Sequence, residues 1–157
     1  MAAEAAGVRV VAHAYAHDPR AASYGEEAAQ VLAERLGVEP ARVLKTLVVR
    51  VGPGPSGLAV AVVPVTARLD LKAAARALGA PRAAMAERRD AERSTGYVLG
   101  GISPLGQRRP LPTALDSPAL DHPTVFVSGG RRGLDLEIAP ADLVRLTDAV
   151  VAPLARP

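Results

Sequence analysis

Ser94-Thr95-Gly96-Tyr97-Val98-Leu99-Gly100-Gly101-Ile102-Ser103-Pro104-Leu105-Gly106 gathers four glycines around one apolar turn. Glycine in an element interior costs about 0.5–1 kcal/mol relative to alanine, because the unfolded chain gives up more freedom there. A segment that exists only to pack has no reason to carry four. Two readings follow from the residues alone. One is a tight turn with a bulge. The other is a backbone that must come close to something, with N–H groups free to donate to a phosphate, a carbonyl or a developing oxyanion.

Outward from this segment, strands and helices interleave irregularly. Val8–Tyr15 reads as a strand, and His13–Pro19 leads out of it into a loop. Gly25–Leu36 reads as a helix with Ala29, Leu32 and Leu36 on its apolar stripe and Gly37 as its stop. Val43–Val51 and Leu58–Val65 are apolar strands joined through Gly52-Pro53-Gly54-Pro55-Ser56-Gly57, a hairpin signal. Asp70 suits the N-cap of a helix over Leu71–Leu78, closed by Gly79. Arg82–Met85 reads as a short strand and Ala86–Arg93 as a short charged helix. Strands are expected at Pro112–Asp116, Thr124–Ser128 and Leu134–Ile138, then a helix over Ala141–Ala149 opened by Pro140. No repeat, low-complexity linker or domain boundary interrupts residues 1–157. The expectation is one α+β domain around a mixed sheet.

The 157 residues are 49% hydrophobic and 22% charged, with a mean hydropathy of +0.15, which excludes a disordered chain. Only 3% are aromatic, so binding nucleic acid by stacked aromatics is a poor fit. The net charge of +3 suits contact with a few phosphates rather than the wrapping of a long polyanion. Cysteine is absent, which removes disulfides, thiolate metal sites and a cysteine nucleophile. Met1–Ala6 does not read as a signal peptide, and runs such as Leu58–Val65 are too short to span a bilayer, so a cytoplasmic protein is expected.

Of 19 basic residues 17 are arginine, and only Lys45 and Lys72 are lysine. In so arginine-rich a chain a lysine is a candidate for work that a planar fork cannot do. Lys72 lies on the amphipathic Leu71–Leu78 helix, where a solvated face explains it. Lys45 is different. Alternation places it with Leu47, Val49 and Val51 on an otherwise apolar face. There it either snorkels to water or points into a pocket.

Val127-Ser128-Gly129-Gly130-Arg131-Arg132-Gly133-Leu134-Asp135 is a further glycine-rich turn after a strand. It matches neither a Walker A loop nor a dinucleotide fingerprint. Taken alone, Ser128 reads as a turn residue and Asp135 as a solvated carboxylate. His13 and His17 are about 13 Å apart in extended chain, too far to share a metal. No Gly-x-Ser-x-Gly elbow marks a nucleophilic serine.

Taken together, His13–Pro19, Val43–Leu47, Leu69–Ala74, Ser94–Gly106 and Val127–Asp135 resemble the YbaK family, freestanding bacterial Cys-tRNA(Pro) deacylases related to the editing domain inserted in bacterial prolyl-tRNA synthetase. The resemblance runs in order over nearly the whole chain, and the Ser94–Gly106 segment is highly specific. It implies a mixed, partly barrel-like sheet with flanking helices, and removal of cysteine mischarged on tRNA(Pro). It implies no metal and no cofactor. Lys45 stands where the family carries the residue most tied to activity. Gly100 and Gly101 match its carbonyl-facing backbone, and Tyr15, Tyr24, Thr46, Tyr97, Ser128 and Asp135 match other pocket positions. The implied partners are the CCA end of an aminoacylated tRNA and prolyl-tRNA synthetase. No membrane is implied, and a monomer is the simplest expectation. The family's usual helix before the first strand is expected to be short or missing.

The resemblance also implies a mechanism in which the thiol of the substrate's own cysteine attacks the ester, so the protein needs no nucleophile. Two other functions stay open. One is deacylation of Ala-tRNA(Pro), or of small amino acids broadly, by an activated water. The other is a noncatalytic adapter between tRNA and the synthetase, against which the retention of Lys45 argues. The arginines are scattered along the chain and reveal no docking surface.

Overall fold

Residues 7–17 and 24–156 are described in a computed structural model of the chain, Tyr24 and Gly25 by their backbone only. The helix expected to be short or missing at Met1–Ala6 lies outside the described residues.

The spine is the hairpin read from the sequence. Strand β2 (Leu44–Arg50) pairs antiparallel with β3 (Leu58–Pro64), from Leu44 opposite Pro64 to Arg50 opposite Leu58. Six of the seven β3 residues are buried, so this strand is covered on both faces. Its apolar run is that of a central strand, and its other neighbour is the parallel strand β6 (Thr113–Asp116). With β5 (Ala84–Met85) and β9 (Val150–Ala152) the first sheet has the order β5-β2-β3-β6-β9. A second sheet, β1-β8-β7, is antiparallel and built from β1 (Val10–Ala14), β7 (Val125–Ser128) and β8 (Leu134–Ile138). The sheets meet where β7 approaches the start of β2, through a parallel bridge between Val43 and Phe126. No closed barrel forms among the described residues, so the barrel-like character amounts to this one seam.

Three apolar clusters hold the layers together. The largest lies between the sheets: Leu44, Val48, Val60 and Val62 face Val125, Val127, Leu136 and Ile138. Ile102 and Leu105 of the glycine-rich segment cap it. Helix α1 (Tyr24–Leu36) lies over the seam, with Ala28, Ala29 and Leu32 against Val43 and Phe126. Leu36, expected on its apolar stripe, is instead 51% exposed. On the other face of the first sheet, Ala61, Val63, Ala114 and Leu154 pack beneath α2 (Leu71–Ala77). Burying each of the Val, Leu, Ile and Phe side chains among these is worth about 1.5–3 kcal/mol, which makes β3 the element the fold can least lose.

Helix α2 is capped as expected: the Asp70 carboxylate accepts the N–H groups of Lys72 and Ala73 at 3.0 and 3.2 Å. Helix α3 (Arg88–Thr95) begins two residues later than its sequence pattern suggested and ends at Gly96. The last helix, α4 (Pro140–Thr147), stops short of Ala149 because Asp148 takes a left-handed conformation at φ 53°. The residues that follow form β9, which pairs parallel with β6, and β10 (Ala155–Arg156), which pairs with β4 (Arg68–Leu69). Strands β4, β9 and β10 were not foreseen. At two or three residues each, they are too short to show a period.

Candidate active site

At the seam between the sheets lies a cavity of about 360 Å³, within the usual range for a small-ligand pocket. Its walls come from the ends of strands and from the two glycine-rich turns. Tyr15 follows β1, Val43 precedes β2 and Leu44–Leu47 begin it, Ser128 ends β7, and Asp135 lies in β8. Leu99, Gly100 and Ile102 come from one glycine-rich turn and Arg131–Gly133 from the other.

The two turns hold each other in place. A Cβ on Gly101 would sit 2.9 Å from Arg131 Cα and 3.1 Å from its carbonyl carbon. What the glycine admits is therefore the backbone of the other turn. The Arg132 guanidinium closes the contact by donating to the Leu99 carbonyl at 2.8 Å. Gly133, at φ +86°, accepts the Tyr15 N–H on its carbonyl oxygen at 2.8 Å, and a Cβ there would strike the Tyr15 carbonyl. Strand β1 and both turns thus form one rigid frame.

Within the frame the polar groups are unevenly satisfied. Asp135 pairs in register with Ser128 on one side and His13 on the other. Only 6% of it is exposed, and among the described residues its carboxylate accepts no hydrogen bond. Burial pushes its carboxyl up to about 7, against a weaker opposing pull from His13. The Tyr15 phenol is pushed up by burial and by the negative charges of Asp135 and Glu27, so it stays a protonated donor. Burial lowers the Lys45 ammonium, and Glu26 opposes that. Lys45 lines the cavity. The Thr46 hydroxyl is buried without a hydrogen-bond partner, an orphan that a ligand could satisfy. The Ser128 hydroxyl accepts the Gly130 N–H at 3.2 Å and keeps its own proton to donate. The Gly100 N–H has no acceptor among the described residues.

Six of the residues singled out from the sequence line the cavity: Tyr15, Lys45, Thr46, Gly100, Ser128 and Asp135. Three do not. Gly101 faces the Arg131 backbone and its N–H already donates to the Val98 carbonyl at 2.9 Å, so the carbonyl-facing role implied for it does not fit this conformation. The Tyr97 hydroxyl donates to the Leu105 carbonyl at 2.6 Å and its ring lies against Gly130, making it a strut behind the wall. The side chain of Tyr24 lies outside the described residues. The cavity adds Glu26, Arg131 and Arg132 as charged lining. Nothing in the sequence set Glu26 apart from the ordinary acidic first turn of a helix.

Among the described residues no histidine is in the cavity lining. His13 Nε2 lies 3.0 Å from Glu137 Oε1, and His17 Nδ1 lies 3.0 Å from Glu27 Oε1. Ser128 accordingly has no imidazole base in the cavity lining. Among the described residues no three His, Cys, Asp or Glu side chains gather as a metal-holding group, and no helix is long and apolar enough to cross a membrane.

This frame of two strand-end turns around a partly buried lysine and a buried carboxylate belongs to the aminoacyl-tRNA editing domain family. The family's model matches residues 25–146, and the chain is a member. A curated relative from Enterococcus faecalis (strain ATCC 700802 / V583), named "Putative Cys-tRNA(Pro)/Cys-tRNA(Cys) deacylase EbsC", is 41% identical over 124 residues, covering 79% of this chain and 74% of the relative. Among solved structures, one titled "Crystal structure of a putative trans-editing enzyme for prolyl tRNA synthetase" superposes with a TM-score of 0.81 at 32% identity, over 99% of this chain and 93% of that one. A crystal structure of a hypothetical protein gives a TM-score of 0.82 at 28% identity, over 98% of this chain and 96% of that one.

Proposed function

We propose that this chain is a trans-editing aminoacyl-tRNA deacylase that removes cysteine mischarged on tRNA(Pro), with Cys-tRNA(Cys) as a second substrate. The observation that carries the reading is the chemistry of the cavity. It offers an ammonium, an orphaned hydroxyl, a buried carboxylate and a free backbone N–H, but no activated protein nucleophile. An aminoacyl ester is already activated, so such a site suffices if the substrate brings its own nucleophile.

The step that fits is intramolecular. The cysteine sulfur attacks the ester carbonyl carbon and a C–S bond forms, while the carbonyl oxygen takes the negative charge. Collapse breaks the bond to the terminal ribose oxygen, and that oxygen takes up the thiol proton. The products are a cyclic thiolactone and a free tRNA end. Lys45 holds the ribose or phosphate of the terminal adenosine and orients the ester. The Gly100 N–H faces the developing oxyanion, where a preorganised donor acts most strongly. Asp135 receives the amino acid's ammonium, and Tyr15, Thr46 and Ser128 complete the polar wall. Pairing with the ammonium returns Asp135 to its ionised form, which the empty cavity disfavours. The enzyme acts in the cytoplasm as a monomer on the CCA end. It takes its choice of tRNA from a complex with prolyl-tRNA synthetase and needs no metal or cofactor.

The deciding measurement is turnover of Cys-, Ala- and Ser-tRNA(Pro) by the wild type and by Lys45→Ala. Rapid loss of cysteine alone, reduced at least about 100-fold by the substitution, is the expected result. A preorganised charge interaction worth about 3 kcal/mol sets that scale. Equal loss of all three amino acids would make water the nucleophile, with Asp135 as its base, and overturn the thiol mechanism. Binding of tRNA without turnover would leave only an adapter.

A further inference from the structure

Arginines scattered in the sequence converge on a second pocket, of about 620 Å³, that shares no lining residue with the candidate active site. It is lined by Arg50, Arg93, Arg108 and Arg109, with Ser94, Asp90 and the apolar floor of Leu58 and Pro55. The four guanidiniums are not equivalent. Arg50 is engaged through both terminal nitrogens: its Nη2 donates to Asp90 at 3.2 Å and its Nη1 to the carbonyls of Gly52 and Gly54 at 2.9 and 3.0 Å. That pairing neutralises the only carboxylate in the lining. The side chains of Arg93, Arg108 and Arg109 have no hydrogen-bond or ion-pair partner among the described residues.

The end of helix α3 does not account for three free guanidiniums. A helix C-terminus carries only about half a negative charge. Its last carbonyls, on Ser94 and Thr95, already accept the backbone N–H groups of Arg109 and Arg108 at 3.1 and 2.9 Å. Those same bonds anchor the 108–109 backbone, so the two side chains start from fixed positions. The Ser94 hydroxyl beside them is buried and also lacks a partner. Planar cationic forks with a neutral hydroxyl donor are the set that binds phosphate oxygens.

We infer that this pocket binds the phosphate backbone of an RNA, as a contact separate from the cavity that takes the acylated end. The inference rests on the proposed deacylase reading for its choice of RNA over an acidic polypeptide. Geometry supports that choice. The pocket lies at the far end of β2 from Lys45, five residues or about 17 Å away along the strand, within the reach of one tRNA whose 3′ end occupies the cavity. The pocket thus adds affinity for the substrate beyond the contacts made at the acylated end.

The test is titration of an uncharged tRNA(Pro) transcript against the protein at several salt concentrations. The triple variant Arg93→Gln/Arg108→Gln/Arg109→Gln is compared with Arg9→Gln/Arg68→Gln/Arg76→Gln, which removes the same charge elsewhere. The expected result is binding at least about 10-fold weaker in the first variant, and a log K against log salt slope shallower by about 2–3, since each phosphate contact contributes about 0.7–0.9. Ser94→Ala should weaken binding by a smaller factor with the slope unchanged. Equal weakening by both triple variants would mean diffuse attraction and overturn the site. Unchanged binding in the first variant would overturn it too, as would loss of polyglutamate binding in place of RNA binding. Melting curves establish that each variant is folded. The readout is RNA binding, so a wild type that binds through this pocket but deacylates nothing would sink the deacylase reading alone. A wild type that deacylates while the first variant binds tRNA normally would sink this one alone.

Discussion

Asp116 and Asp135 are carboxylates of nearly equal burial, 3% and 6% exposed, in opposite surroundings. Asp116, at the end of β6, accepts the backbone N–H groups of Leu154 and Ala155 at 2.8 and 3.3 Å and so stitches the C-terminal strands to the first sheet. Asp135 accepts nothing from the described residues, opens on the cavity, and is held near neutrality by burial. A buried charge without partners is expensive and persists only where something compensates for it. The lesson is that the hydrogen-bond inventory, more than burial, separates a carboxylate that holds the fold from one kept for a ligand. On the proposed reading, the missing partner of Asp135 is the substrate's ammonium.

The strongest way to break this comparison is Asp135→Asn, which should move activity and stability in opposite directions. The proposed ammonium pair is a charge-assisted hydrogen bond worth about 1.5–3 kcal/mol, so kcat/KM should fall roughly 10–100-fold. The wild-type kcat/KM should fall as pH drops through about 7, where the free enzyme's carboxylate takes up a proton, and that limb should vanish in the variant. Stability runs the other way. The folded carboxyl titrates near 7 and the unfolded one near 3.8. The native state thus binds the extra proton between those values, and its stability declines as pH rises through that window. Asparagine has no charge to bury. The variant should be more stable than the wild type at pH 8, by at most about 4 kcal/mol, and lose that advantage at pH 4. Thermal melts at the two pH values, set beside the kinetics, would expose a purely structural Asp135 through loss of both stability and activity.

The next effect in size belongs to Asp116→Ala. The Leu154 and Ala155 N–H groups, one buried and one part-buried, would be left without their acceptor, at a cost of about 2–4 kcal/mol, or about 5–15 °C in Tm for a chain of this size. The cavity lies elsewhere, so kcat measured well below the lowered Tm should stay within about twofold of the wild type, inside the scatter expected of distant and independent sites. A kcat that collapsed with the fold intact would mean that the C-terminal strands and the cavity are coupled.

How far the sequence foretold these roles depends on the length of pattern each residue belongs to. The β2–β3 hairpin was legible because a largely apolar run, Val43–Val51, and a continuous one, Leu58–Val65, flank a Gly-Pro loop, and its observed ends lie inside the expected ones by at most about a residue. Lys45 was legible because a lone lysine broke an apolar face. The stitching by Asp116 was not, since its partners belong to β10 and the turn before it, elements with no period to read. Asp135 was named only through the family resemblance. In its own segment it read as a solvated carboxylate, and its burial comes from the pairing of β8 between β1 and β7. Gly101 and Tyr97 show the opposite limit. A glycine announces that something comes close and not what it is, and here the neighbour is the Arg131 backbone rather than a substrate.

Asp70 sharpens the comparison with the smallest effect. Like Asp116 it accepts two backbone N–H groups, from Lys72 and Ala73, and those bonds hold its carboxyl below the usual carboxylate range. The difference is solvent: water can replace the Asp70 carboxylate at the exposed start of α2, whereas the Leu154 N–H that Asp116 serves is buried and the Ala155 N–H part-buried. Asp70→Ala should therefore lower Tm by less than half as much as Asp116→Ala and leave deacylation unchanged. Because the carboxyl titrates lower in the folded chain than in the unfolded one, its contribution is present at neutral pH and is lost as pH falls through the folded value. The difference in Tm between wild type and Asp70→Ala should accordingly shrink in acid. A Tm loss equal to that of Asp116→Ala would mean that the bond count alone sets the cost, and that burial adds nothing to it.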